Sequence, residues 1–344
     1  MDFTFGICTY NSEKYIIQAL ESVKYQVCTY GENIRVSLIV SDDCSGDQTV
    51  KLVRYWLKIN EDLFENCALL QQEKNLGIAH NYAKLLDNIH TQYFKTMDGD
   101  DVISSINIFG QLKSVGKAEL KIFFPIRFNE ERMFIQEFDY ISMYYYHHIK
   151  HRHQRDLYML ETIKPFITPE ACFLRDEYSE ETGEFVRYFT QFEDDTSLYH
   201  IFKNNNKMIM EFVLEPMILY RIHNKSLSNG EESIGTIRFA DDLHKFRKYL
   251  FKKEKNLFVK LIVGFAICDT FRMKHRFAAN ISMFRVVANH YAKKRKKSVE
   301  QQKEYLDYKI RMEKVLEQQI AHMKCIEQQT QEYFAEYEKY SFNN

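Results

Sequence analysis

Glycine-rich phosphate loops are missing from this 344-residue chain: it contains neither a G-x-G-x-x-G nor a Walker sequence, which disfavours a Rossmann dehydrogenase or a P-loop kinase. Its seven cysteines are odd in number, scattered and without a C-x-x-C pair. Neither a disulfide framework nor a zinc site is indicated, and a reducing, cytosolic setting is expected. No basic, apolar leader opens the chain, because Met1 runs directly into Phe3-Thr4-Phe5-Gly6-Ile7-Cys8; the protein is expected to stay where it is made. The longest apolar stretch, Leu257 to Phe271, is broken by Lys260 and Asp269 and is too short for a bilayer span. Prolines stand only at 125, 165, 169 and 216, so none interrupts helices in the last third.

What is present argues for a folded globule, with 45% hydrophobic and 15% aromatic residues. A formal net charge of −1 hides a polarised chain: residues 1–244 carry −12, 245–297 carry +14 and 298–344 carry −3. A basic element attached to an acidic domain usually meets anionic membrane, nucleic acid or a phosphorylated substrate.

The first hundred residues alternate between two hydrophobic periods. Strands are expected at Phe3–Thr9, Ile34–Val40, Cys67–Leu70 and Tyr93–Thr96. Helices are expected at Ser12–Val27, from about Thr49, and from Gly77 to about His90. That order means a parallel sheet with crossover helices, in which ligands bind beyond the carboxyl ends of the strands. The segments leaving those ends are Thr9-Tyr10-Asn11, Asp42-Asp43, Lys74-Asn75-Leu76-Gly77 and Asp98-Gly99-Asp100-Asp101. After Ser104 the pattern is mixed: Leu120 to Phe128 and Phe212 to Tyr220 read as strands, while Asp139 to Leu160 has no clear period. Past Arg238 the chain reads as helix, and a domain boundary is expected near 230–240.

The densest chemistry lies at Met97-Asp98-Gly99-Asp100-Asp101, where three carboxylates share one turn. Like charges this close need a cation or a shared proton, and hard oxygen ligands suit Mg²⁺ or Mn²⁺ held against substrate phosphates. A solvated acidic turn is the alternative. His147, His148, His151 and His153 lack acidic or cysteine partners, which disfavours zinc and suits an aromatic acceptor loop.

Several motifs in order resemble the family 2 glycosyltransferases of the GT-A fold. Thr9-Tyr10-Asn11-Ser12-Glu13-Lys14-Tyr15 is similar to the P-T-Y-N-x-x-x-Y start, with Cys8 in place of proline. Val40-Ser41-Asp42-Asp43-Cys44-Ser45-Gly46-Asp47-Gln48-Thr49 resembles V-D-D-G-S-T-D-x-T, with Cys44 where glycine is usual. Asn75-Leu76-Gly77 followed by Asn81, then Cys172-Phe173-Leu174-Arg175, Gly183-Glu184-Phe185 and Glu193-Asp194 continue the likeness. Tyr220-Arg221-Ile222-His223-Asn224-Lys225-Ser226-Leu227-Ser228 closes it, so that it covers roughly 1–228.

The resemblance implies an α/β GT-A fold: a mostly parallel nucleotide-binding sheet flanked by helices, with an α-helical C-terminal extension. It implies a glycosyltransferase unit over 1–235, divided into a nucleotide-binding half (1–103) and an acceptor and catalytic half (104–235), followed by the extension 236–344. It further implies a metal-dependent, inverting transfer from a UDP-sugar to a hydroxyl of a glycan, lipid-linked or glycoprotein acceptor in bacterial surface polysaccharide or glycan synthesis. Asp43 would read the base and Tyr10 stack on it, with Thr9, Asn11, Asn75 and Asp98 completing donor binding; Asp98 would reach the ribose. Asp100, Asp101 and His223 are the metal candidates for Mn²⁺ or Mg²⁺, with Asp101 supporting either the metal or the turn. Asp194 is the candidate general base and Asp195 its rival. The basic helices would pack on the catalytic domain, on a second copy, or on an anionic inner membrane surface; nucleic acid is disfavoured. A nucleotidyltransferase, which would need a glycine-rich basic loop after the first strand, and a catalytically silent scaffold are the alternatives.

Overall fold

A computed structural model describes residues 1–113, 120–148, 172–174, 180–204, 210–223, 234–255, 257–275 and 283–342. The chain begins β1 (Asp2–Thr9), α1 (Ile16–Tyr30), β2 (Arg35–Asp42), α2 (Thr49–Asn60), β3 (Asn66–Gln71), α3 (Ile78–Asp87) and β4 (Tyr93–Asp98). These four strands pair in the order β3-β2-β1-β4, all parallel. Their burial explains their composition: Phe3, Phe5, Ile7, Val36, Leu38 and Val40 enter one cluster and Cys8, Ile39 and Phe94 another. A sheet covered on both faces by crossover helices needs apolar residues at successive positions.

The second half continues the sheet with mixed polarity. It comprises β5 (Val102–Ile103), α4 (Ile108–Lys113), β6 (Leu120–Phe128), β7 (Met133–Phe134), α5 (Glu137–His148), β8 (Cys172–Leu174), α6 (Glu180–Val186), α7 (Asp194–Asn204) and β9 (Met210–Arg221). Strand β8 runs antiparallel to β4 and β6, β6 is parallel to β9, and β9 antiparallel to β5. The strand expected over 120–128 is found with those bounds. The stretch after Asp139 lacks a readable period yet begins inside helix α5, because Tyr140, Ile141, Met143, Tyr144 and Tyr146 are all buried. A helix enclosed on most sides shows no amphipathic stripe.

Four helices finish the chain: α8 (Ile234–Lys253), α9 (Leu257–His275), α10 (Met283–Glu300) and the 40-residue α11 (Lys303–Phe342). They enter every core cluster: Phe246, Val263, Tyr305 and Met312 the first, Tyr333 the second, Met323 and Ile326 the third. Gln319 fastens α11 to the loop after β5, accepting from Ser105 N at 2.8 Å. Among the described residues no helix is long and apolar enough to cross a membrane.

Candidate active site

The parallel register sets the geometry of the site. Cys8 of β1 is level with Ser41 and Asp98, and Thr9 with Asp42, so three strands end on one line. The loops leaving them are tied to each other. Asn11, at φ 49°, donates from its backbone to Ser45 Oγ at 2.8 Å, and its side-chain oxygen accepts from Gly46 N at 2.8 Å. Asp42 accepts from Ser45 N at 2.9 Å and from the Ser45 hydroxyl. Cys44 has φ 65°, the left-handed region that explains why glycine is usual in this motif. Helix α2 starts without help from Asp43: Asp47 Oδ1 accepts from Thr49 N at 2.9 Å.

Asp43 instead faces the next loop, its two oxygens accepting from Leu76 N at 2.9 Å and Gly77 N at 2.8 Å. Burial raises its pKa, while those amides act to lower it. Gly77, at φ 93°, could not be another residue, because a Cβ there would lie 2.4 Å from Thr190 O. Asn81 fixes the same loop from below, with Oδ1 accepting from Ser41 Oγ and Nδ2 donating to Ser41 O, both at 2.7 Å. Asn75 and Tyr10 stand exposed at the rim, Tyr10 at 49%. The buried Thr9 hydroxyl has no hydrogen-bond partner among the described residues.

The carboxylate turn is braced by β9. Arg221 donates from its backbone to Asp101 Oδ1 at 2.8 Å, from Nε to Asp100 O at 2.6 Å, and from Nη2 to Gln18 Oε1. Its guanidinium lies 4.4 Å from the ring centroids of both Tyr15 and Phe128. Tyr15 also stacks on His223 at 5.3 Å, and His223 Nε2 is 2.8 Å from Asp100 Oδ2. Asp101 is buried against Arg221, whereas Asp100 and His223 stay partly open to solvent. Tyr15, Gln18 and Arg221 therefore join the candidate site. Two of them stood inside recognised motifs, but only folding shows that they meet around the turn.

Among the described residues no three His, Cys, Asp or Glu side chains gather closely enough to hold a metal unaided. Asp100 and His223 offer one carboxylate and one imidazole donor side by side. This set fits Mg²⁺ or Mn²⁺ completed by phosphate oxygens and water.

The opposite wall comes from the loop into α7. Asp43, Asp98, Glu193 and Asp194 all lie close enough to Cys8 to help raise its thiol pKa, after burial as the main cause. The candidate base Asp194 thus shares an edge with Asp43 and Asp98. Burial pushes Asp195 up to about 7, with Arg247 of α8 opposing, and raises Glu193 as well. Asp242 of α8 holds this loop, its Oδ2 accepting from Thr190 N at 2.6 Å and Gln191 N at 2.7 Å. Nothing in the sequence signals Asp242, which is about fifty residues distant along the chain.

Motif residues Arg175 and Asn224 to Ser228 and the histidines His151 and His153 lie outside the described residues. His147 and His148 each place Nδ1 against a backbone carbonyl, of Phe212 at 2.6 Å and of Tyr144 at 2.8 Å.

The sequence profile of glycosyl transferase family 2 matches residues 4–183, just over half of the chain. The chain belongs to that family. A teichoic acid poly(glycerol phosphate) polymerase of Staphylococcus epidermidis is 33% identical over 105 residues, covering 30% of this family 2 chain and 14% of the relative. The chain thus matches only a small part of that relative's length. In structure it is similar to residues 1–349 of S. aureus TarS in complex with UDP-GlcNAc, with TM-score 0.54, 17% identity, and 79% of this chain and 73% of that one covered. Against another TarS structure the TM-score is 0.51 at 15% identity, covering 79% and 44%. At such identities the likeness establishes the shared GT-A fold.

Proposed function

We propose that this protein is a metal-dependent, inverting glycosyltransferase that moves a sugar from a UDP-sugar to an acceptor hydroxyl in bacterial surface glycan synthesis. The observation carrying this reading is the Asp100–His223 pair, set on the strand-end edge beside Asp98, Asp43 and Asp194. Tyr10 supplies an exposed ring for stacking on the base, and Asp43, already bonded to two amides, has lone pairs left for a uracil N–H. Thr9, Asn11 and Asn75 shape the donor loops, and Asp98 accepts from the ribose. Asp100 and His223 hold the divalent cation, while Asp101 supports the turn through Arg221. When bound, the cation neutralises charge developing on the leaving UDP. Asp194 accepts the acceptor's proton as its oxygen forms a bond to the anomeric carbon; the bond from that carbon to the UDP oxygen breaks, and UDP leaves with the electron pair.

A bacterial surface-glycan role is supported by the name of one relative, a teichoic acid poly(glycerol phosphate) polymerase, and a UDP-sugar donor by the TarS complex with UDP-GlcNAc. We assign 1–235 as the catalytic unit and 236–344 as an extension that completes its core. The hairpin between α8 and α9 carries exposed Leu257 (82%), Phe258 (53%) and Leu261 (56%) beside Lys252, Lys253, Lys255 and Lys260. We assign this surface to an anionic bilayer, its lysines meeting lipid charge and its apolar residues the acyl boundary.

Calorimetry with UDP, with and without Mn²⁺, on wild type and Asp100→Ala tests the central reading. Wild type should bind UDP more tightly with Mn²⁺, and Asp100→Ala should lose that gain while staying folded. A panel of UDP-sugars followed by slow hydrolysis would then identify the donor. Metal-stimulated binding unchanged in Asp100→Ala would overturn the metal assignment, and no response to any nucleotide would favour a silent scaffold.

A further inference from the structure

A buried cation with no carboxylate partner among the described residues sits between α5 and α10. Arg295 is only 5% exposed, and its Nε has no hydrogen-bond partner among the described residues. Its Nη1 reaches only hydroxyls, Tyr146 at 3.2 Å and Ser142 at 3.4 Å, and the guanidinium lies 5.3 Å from the Phe138 ring centroid. No ion pair among the described residues includes it. Glu137, which borders the same space, is 2.9 Å from Lys296. A guanidinium cannot shed its proton when desolvated, so burial without an anion is costly.

Arg295 lines a cavity of about 180 Å³ shared with Ser142, Phe138, Lys293 and Lys296. We infer that this cavity binds a phosphate group, seated against the guanidinium with the two lysines at its mouth. Arg295 offers a planar fork suited to two oxygens of one tetrahedral anion. Lys296 is engaged by both Glu137 and Glu300; against those two carboxylates the three cations still leave a net positive charge, which favours a phosphate over a neutral ligand. The phosphate could be free or esterified, as in a phosphodiester-containing acceptor; only the esterified source rests on the transferase reading above.

Thermal unfolding in metal-free buffer at fixed ionic strength tests this, with inorganic phosphate, with a bis(glycerol) phosphodiester, and with chloride alone. Wild type should gain about 2 °C at ten times the dissociation constant. Arg295→Met should lose that gain and, in chloride alone, unfold no earlier than wild type. Arg295→Lys, which keeps the charge but not the fork, guards against a folding defect and should gain less than wild type. A gain with the diester alone assigns an ester, and a gain with both ligands assigns the phosphate group itself. Absence of any gain in wild type, or equal gains in wild type and both variants, would overturn the inference. Because divalent metal is absent, a failure here leaves the UDP and Mn²⁺ experiment untouched.

Discussion

Glu193, Asp194 and Asp195 are consecutive, yet their surroundings differ. Asp194 lies near Cys8 and the donor edge, whereas the cation bearing on Asp195 is Arg247 of α8. Asp194→Asn keeps the side chain's shape but cannot accept a proton, so turnover should fall by about 10²-fold or more with donor affinity little changed. Steady-state kinetics beside UDP calorimetry checks this. Full activity in Asp194→Asn with loss in Asp195→Asn would move the base by one residue. Asp195 also makes a pH prediction. Its folded pKa of about 7 lies above the unfolded value near 3.8, so the folded state holds more protons between those values and stability declines as pH rises through the interval. Asp195→Asn should flatten that decline and gain on the order of 1–3 kcal/mol at pH 8, allowing for partial solvent screening. Urea unfolding from pH 5 to 8 measures it, and identical pH slopes in both proteins would reject the assignment.

Helix α8 holds a loop of the candidate site, a role its own sequence does not advertise. Asp242 binds the amides of Thr190 and Gln191, Thr190 O accepts from Ala79 N at 3.1 Å, and Gly77 lies against that same carbonyl beneath Asp43. One chain of contacts thus joins the loop beneath Asp43, the loop carrying the candidate base Asp194, and helix α8. Asp242→Ala would leave two amides unmatched, at a stability cost of about 2–4 kcal/mol, and should lower turnover more than donor affinity. Asp242→Asn, which still offers an acceptor oxygen, should recover part of both. Unfolding midpoints with kinetics on the two variants distinguish this from a purely local effect. If Asp242→Ala lost stability but kept full turnover, the helix would have no part in holding the base.

Across the whole molecule, basic charge and core packing reside in the same helices. The exposed apolar tip near Leu257 sits among lysines, each contributing about 1 kcal/mol near an anionic surface and screened by salt. Co-sedimentation should therefore show binding to anionic vesicles at low salt, weakened by high salt and by a combined Lys252→Glu, Lys253→Glu, Lys255→Glu variant; equal, negligible binding to anionic and neutral vesicles would remove the membrane role. How much of this was legible in advance follows from the range of each signal. The parallel sheet and its acidic edge were readable because β-branched and aromatic strands alternating with helical periods are local patterns, and strand ends are where ligands collect. The same locality made Asp43, Asp98, Asp100 and Asp194 nameable as candidates. The α5 helix was not readable, since burial on most sides erased its period, nor was the link between Asp242 and the base loop, which spans some fifty residues. Sequence alone thus determined the strand-helix order of the first hundred residues, the family motifs and the carboxylates at the strand ends. Only the tertiary structure decided that Tyr15, Arg221 and His223 close around the acidic turn, that the basic helices complete the core, and that Arg295 is buried with no carboxylate partner among the described residues, because these are contacts between residues far apart in the chain.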